Sequence, residues 1–222
     1  MKLVFEGKAY ELIPQGQGLV FPYRKGGDEQ NALVCLKMLS TENGVMSDVA
    51  KNIYFISKFG TNYRASLELC SNYVLSRALV LPSGRVFLSS DNGNSYLIDG
   101  DGLPIWSGDF KYKGEVPSDI AIYKNSLWAS YKSAGVLVRF NLNTMREELR
   151  IGGKNTPFNK PCHIFIEGNT AYISNEGSNK LLRVNLSSYT VEDYKEFSEP
   201  VYSFVKVKGH QFVLLESGIY LL

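Results

Sequence analysis

The sequence predicts an all-β fold, a β-propeller of about six four-stranded blades around a central channel, closed by pairing of the N- and C-terminal strands. Three observations predict it. Two segments beginning at Pro117 and Pro161, 44 residues apart, align as one repeated unit. Fainter copies of that unit run in both directions along the chain. The last unit stops one strand short of four, while the first residues have no unit of their own.

The repeated unit holds three short β-branched and aromatic runs and a weaker fourth. In the first copy they are Asp119-Ile120-Ala121-Ile122, Leu127-Trp128-Ala129-Ser130 and Val136-Leu137-Val138-Arg139-Phe140. In the second they are His163-Ile164-Phe165-Ile166, Ala171-Tyr172-Ile173-Ser174 and Leu181-Leu182-Arg183-Val184, followed by Val191-Glu192-Asp193-Tyr194. Gly, Asn and Ser separate the runs, which is the turn chemistry of an antiparallel meander. Four such strands recurring about every forty residues describe one blade.

Downstream, Val201 to Val205 repeats the first strand and Phe212 to Leu215 the second. Upstream, Arg77 to Leu81 leads to Val86 to Ser89 and Ser95 to Asp99. Earlier copies are read at Asp48-Val49-Ala50 with Asn52 to Ser57, and near Leu19-Val20-Phe21. The steps from Gln17 to Asp48 and from Asp48 to Arg77 are short, 31 and 29 residues, and leave five blades open. At the ends, Lys2-Leu3-Val4-Phe5 is expected to pair with the strand at Gly218 to Leu222, which removes an open sheet edge and joins the ring.

Composition bounds the function classes. Hydrophobic residues at 44% and charged residues at 21% of 222 positions exclude a disordered chain and suffice for one globular domain, 1–222. Lys plus Arg number 24 against 22 Asp plus Glu, so no net field favours nucleic acid or an anionic membrane as partner. No run of about 18 apolar residues marks a membrane span. The apolar start Leu3-Val4-Phe5 is broken by Glu6, too soon for a signal peptide. Cys35, Cys70 and Cys162 are odd in number and unpaired in spacing, which argues for buried reduced thiols over disulfides or a zinc site. A cytoplasmic location is expected.

Residues just before the innermost strands of a propeller crowd around one channel mouth. One position per blade gives Gln17, Asp48, Arg77, Asp119, His163 and Tyr202 as candidate ligand-binding residues. The same set also reads as structural ion pairs sealing the channel. The unperturbed pKa of histidine lies near neutrality, so His163 is the candidate acid or base, against the plainer reading of an imidazole hydrogen-bonded at a strand start. No metal is expected there, because two carboxylates beside Arg77 fall short of the six to eight oxygens calcium takes. Asp99-Gly100-Asp101-Gly102 resembles the start of a calcium loop but has Pro104 where the loop needs Gly, so it reads as a turn. Gly16-Gln17-Gly18 lacks a third glycine and a helix, and no cofactor is expected.

The segment from Pro161 to Val191 resembles the YVTN and NHL class of propeller repeats, on its leading Pro, Gly168-Asn169, Tyr172-Ile173-Ser174-Asn175 and Arg183-Val184-Asn185-Leu186. Pro117 to Glu147 matches nearly as well. Gly84 to Gly108 is more similar to quinoprotein-type repeats. The resemblance implies a fold and no catalytic residues, since such propellers host unrelated functions. The function expected is a binding or scaffold module for a protein, peptide or small molecule at the channel mouth. The alternative is a lyase or hydrolase using His163.

Overall fold

The Asn-Leu pairs of the repeat build its turns. Asn141 Oδ1 accepts from the backbone N–H of Asn143 (2.9 Å) and Thr144 (3.2 Å), and Asn185 Oδ1 does the same for Ser187 (2.8 Å) and Ser188 (3.0 Å). Each such Asn carbonyl then accepts from the residue four further on, Met145 and Tyr189, whose φ angles are 53° and 60°. These are side-chain-capped turns of the kind Asn favours over any other residue. The N–H groups of Leu142 and Leu186 donate to the carbonyls of Asn125 and Asn169, tying each turn to the one before it in the same unit.

The computed structural model of the chain describes residues 1–7, 9, 12–15, 18–24, 31–39, 48–55, 75–81, 83–90, 93–99 and 103–222. In chain order, β1 (Lys2–Glu6) precedes β2 (Ile13–Gln15), β3 (Gly18–Arg24), β4 (Asn31–Leu39) and β5 (Asp48–Phe55). Next come β6 (Leu75–Val80), β7 (Val86–Ser90), β8 (Asn94–Ile98) and β9 (Pro104–Asp109). The two clearest repeats supply β10 (Asp119–Tyr123), β11 (Ser126–Tyr131), β12 (Val136–Asn141) and β13 (Glu147–Gly152), then β14 (Pro161–Glu167), β15 (Thr170–Asn175), β16 (Lys180–Asn185) and β17 (Val191–Glu196). The chain finishes with β18 (Val201–Val207), β19 (His210–Leu215) and β20 (Gly218–Leu221).

These strands form five four-stranded antiparallel sheets among the described residues. Four are consecutive meanders, and the fifth has the order β1-β20-β19-β18. The N-terminal strand therefore completes the C-terminal sheet, with Lys2 opposite Leu221 and Phe5 opposite Ile219. Gly218 permits this approach: a Cβ there would collide with the Phe5 carbonyl oxygen. First strands neighbour one another in the sequence β6, β10, β14, β18, β2. That radial arrangement is a β-propeller.

The second strands β11, β15 and β19 are buried on both faces, which is why they read as continuous apolar runs rather than alternating ones. In β11, Leu127, Ala129 and Tyr131 pack toward the sheet of β6 to β9, while Trp128 packs toward the sheet of β14 to β17. In β19, Phe212 and Leu214 face the residues around Leu12 and Leu19, and Val213 and Leu215 face Tyr172 and Leu181. The core is thus a set of layers between adjacent sheets. Fourth strands such as β13 and β17 are charged and mostly exposed.

Two strand assignments differ from expectation. Leu19-Val20-Phe21 lies in β3, second in its sheet, because Ile13–Gln15 takes the innermost place. Residues 48 to 55, expected as parts of two strands opening a separate unit, form the single fourth strand β5. No glycine or proline interrupts Asp48 to Phe55, so nothing breaks the extended backbone there.

Candidate functional site

Each innermost strand carries one residue whose position is set by the ladder. Asp119 pairs with Ser130, His163 with Ser174, and Arg77 with Ser89. In β18 the equivalent residue is Ser203, paired with Leu214. Tyr202 sits one residue earlier, inside a bulge between Val201 and Ser203, as Cys162 does between Pro161 and His163. The shared prolines misled the alignment here. Pro161 is matched in register by Val201, not Pro200, and a one-residue slip sends a side chain to the other face.

The residues at this register reach across to the next sheet. Asp119 Oδ2 accepts from the backbone N–H of Ile164 at 2.8 Å, and Ser203 Oγ accepts from that of Leu12 at 3.3 Å. Asp119 and His163 are both buried, and His163 Nε2 lies 3.9 Å from Asp119 Oδ2. That separation allows charge attraction but exceeds a hydrogen bond. Ser174, across the ladder from His163, has no exposed surface. A Ser, His and Asp thus meet here by type, but the hydroxyl has no access to a substrate.

Cys162 Sγ lies 3.4 Å from the carbonyl oxygens of Ser174 and Tyr202. Burial, with Glu176 nearby, pushes its thiol up to about 12, so it is a neutral packing group rather than a nucleophile. Tyr202 packs against the cluster formed by Phe5, Leu12 and Val205. Burial raises its hydroxyl pKa, reinforced by the charges of Glu216 and Glu176.

The ionic groups near Tyr202 and Cys162 come from residues just after the second strands, outside the set expected at the mouth. Lys132 follows β11, Glu176 follows β15 and Glu216 follows β19. Lys132 Nζ and a Glu176 carboxylate oxygen form an ion pair across two sheets. Burial opposes the Lys132 charge, but the hydrogen bond and charge of Glu176 outweigh it and raise its pKa. The signal for them is positional: a charged residue follows Ser130-Tyr131, Ser174-Asn175 and Leu214-Leu215 at the same offset. Glu176 opens a short 3₁₀ turn, Glu176–Ser178, whose Gly177 is required because a Cβ would strike the Asn159 side chain.

Of the other expected residues, Gln17 lies outside the described residues. Asp48 is described by its backbone, at the start of β5 opposite Leu39, in the fourth strand of its sheet rather than the first. Arg77 is placed by its backbone in the innermost strand β6. The structure therefore brings Asp119, His163 and Tyr202 to one region and adds Lys132, Glu176 and Cys162 to it. Asp99 Oδ1 accepts from the Leu103 N–H at 2.8 Å, and residues 100–102 of the expected turn lie outside the described residues.

No family profile matches the chain, and no curated protein matches it in sequence. Solved structures do match. The chain is similar to Sqt1 of Saccharomyces cerevisiae, with a TM-score of 0.58 and 9% identity over 96% of this chain and 71% of that one. The β-propeller domain of Cps50 (Swd1) from Myceliophteria thermophila matches with a TM-score of 0.57 and 10% identity, over 98% and 69% of the two chains. Virginiamycin B lyase from Staphylococcus aureus matches with a TM-score of 0.53 and 11% identity, over 100% and 72%. At these identities the likeness shows the fold alone. The class is the β-propeller.

Proposed function

We propose that this chain is a propeller binding module that engages a protein, peptide or small molecule on the face where the innermost strands begin. Its repeats read as the YVTN and NHL type, a reading supported by the Asn-capped turns common to Asn141 and Asn185. One observation carries the binding reading. The polar groups at the mouth that resemble catalytic machinery are already committed to the fold: Asp119 holds the next sheet's backbone, and Ser174 has no accessible surface. Beside them stand the half-buried Tyr202 and the Lys132–Glu176 pair, a polar rim suited to recognition.

The test is to capture partners from cell extract, identify one, and measure its affinity by calorimetry. Glu176→Lys at the mouth should weaken binding at least tenfold, and Lys124→Glu in the turn at the opposite end of β10 should leave it unchanged. Equal affinity in both variants would overturn the reading.

A second reading is an enzyme, a lyase or hydrolase with His163 as acid or base. The 3.9 Å approach of His163 Nε2 to Asp119 Oδ2 favours it, since a carboxylate at that distance attracts an imidazolium charge without hydrogen bonding to it. Turnover of a metabolite that His163→Ala abolishes, with no partner captured, would establish this reading in place of the first.

A further inference from the structure

Between the sheets of β10 to β13 and β14 to β17, on the same face as the mouth, lies a cavity of about 450 Å³. The loop after β11 forms one wall, with Lys132 and Ser133, and the loop before β14 forms the other, with Lys154, Asn159 and Lys160. Phe158 supplies an apolar floor. Three lysines and no acidic residue line this space.

The neighbouring acids are already spent. Both oxygens of Glu115 accept from the loop backbone, at 2.6 Å from the Ser133 N–H and 2.9 Å from the Ala134 N–H. Glu176 is paired with Lys132. Among the described residues no carboxylate pairs with Lys154 or Lys160. Two cationic charges therefore remain uncompensated at the wall of a concavity whose volume suits a small ligand. The wall itself is rigidly built. Asn159 donates its side-chain amide to the Gly177 carbonyl and its backbone N–H to Asn175 Oδ1, and the Lys160 carbonyl accepts from the Glu176 N–H. Lys160 has a φ of 55°, the left-handed turn conformation also taken by Lys113, Lys124 and Lys208.

We infer that this inter-sheet cavity binds a small organic phosphate, its dianionic group between Lys154 and Lys160 and its organic body over Phe158. The charge count selects the class. A phosphate monoester carries about −1.5 to −2 at neutral pH, matching two free ammonium groups, whereas a monocarboxylate would leave one unmatched. Lysine binds phosphate as a point charge and needs no bidentate geometry. The inference goes beyond the proposed function; the cavity shares Lys132 with the mouth but uses neither His163 nor Tyr202.

Phenyl phosphate is the probe, titrated into ¹⁵N-labelled protein at constant ionic strength, with benzoate and inorganic phosphate in parallel. Saturable shifts are expected at the amides of Ser133, Gly153 and Asn159, with phenyl phosphate tighter than either control. The double variant Lys154→Ala/Lys160→Ala should weaken binding at least tenfold, and Lys154→Arg/Lys160→Arg should largely keep it. His163→Ala and Tyr202→Ala should bind phenyl phosphate as the parent does, whatever becomes of the mouth. Shifts that do not saturate, an unaffected double alanine variant, or benzoate binding as tightly as phenyl phosphate would each overturn the inference.

Discussion

At the scale of single residues, Asp119 shows how a side chain that resembles a catalytic group acts as a tie between sheets. Removing its carboxylate leaves the buried Ile164 N–H without its acceptor. Asp119→Ala should therefore lower stability by about 1–3 kcal/mol, and Asp119→Asn, which keeps an acceptor oxygen, should recover much of the loss. Urea unfolding of the two variants measures it. Cys162 makes a pH-dependent contribution of definite sign. Folding raises its pKa toward about 12, so the folded state holds the thiol proton more tightly than the unfolded chain does. The contribution is complete below the ordinary thiol pKa and is lost as pH climbs from there toward 12. The unfolding free energy of the parent, read from urea titrations, should fall more steeply than that of Cys162→Ala above about pH 9, by up to about 1.4 kcal/mol per pH unit. Parallel profiles would refute the assignment.

At the scale of elements, the shared sheet depends on how closely β1 can approach β20. Gly218 stands opposite Glu6 and beside the Phe5 carbonyl, where any larger residue intrudes. Gly218→Val should expose the Leu3 and Phe5 amides to hydrogen exchange while β14 to β17 stay protected. Phe5 anchors the same strand in the cluster with Val205, Phe212 and Ile219. Phe5→Ala should cost about 3–5 kcal/mol, whereas Leu3→Ala, at an exposed position, should cost little. Similar costs for the two would show that β1 does not dock as described. Bulges are the other device at this scale. By adding one residue to β14 and β18 they turn Cys162 and Tyr202 out of step with His163 and Ser203.

At the scale of the whole molecule, each apolar layer belongs to two sheets at once, so no sheet is stable by itself. Trp128 lies between one pair of sheets and Trp106 borders the layer on the other side, both in units remote in sequence from β1. Removing residues 1–6 should lower the unfolding midpoint seen by tryptophan fluorescence and by far-ultraviolet circular dichroism together, as one transition. Separate transitions would mean that the sheets unfold independently. The same shared layers create the cavity of Lys154 and Lys160, which exists only because two units meet.

The repeat, the strand content and the joining of the two chain ends were legible in the sequence, because each depends on local pattern: apolar runs of strand length, Asn and Gly at turns, and a last unit lacking a strand that Lys2 to Phe5 could supply. The prolines at 117 and 161 put Asp119 and His163 at one register, opposite Ser130 and Ser174. Register and neighbourhood were not legible. That Tyr202 yields its place to Ser203 follows from a bulge, and that 48 to 55 is one fourth strand follows from which strand it pairs with. The Lys132–Glu176 pair and the lysine-walled cavity join residues of different units, and only the radial packing of sheets brings them together. Backbone pattern is written within a few residues of chain, whereas a site between blades is decided by contacts between residues that sequence does not place side by side.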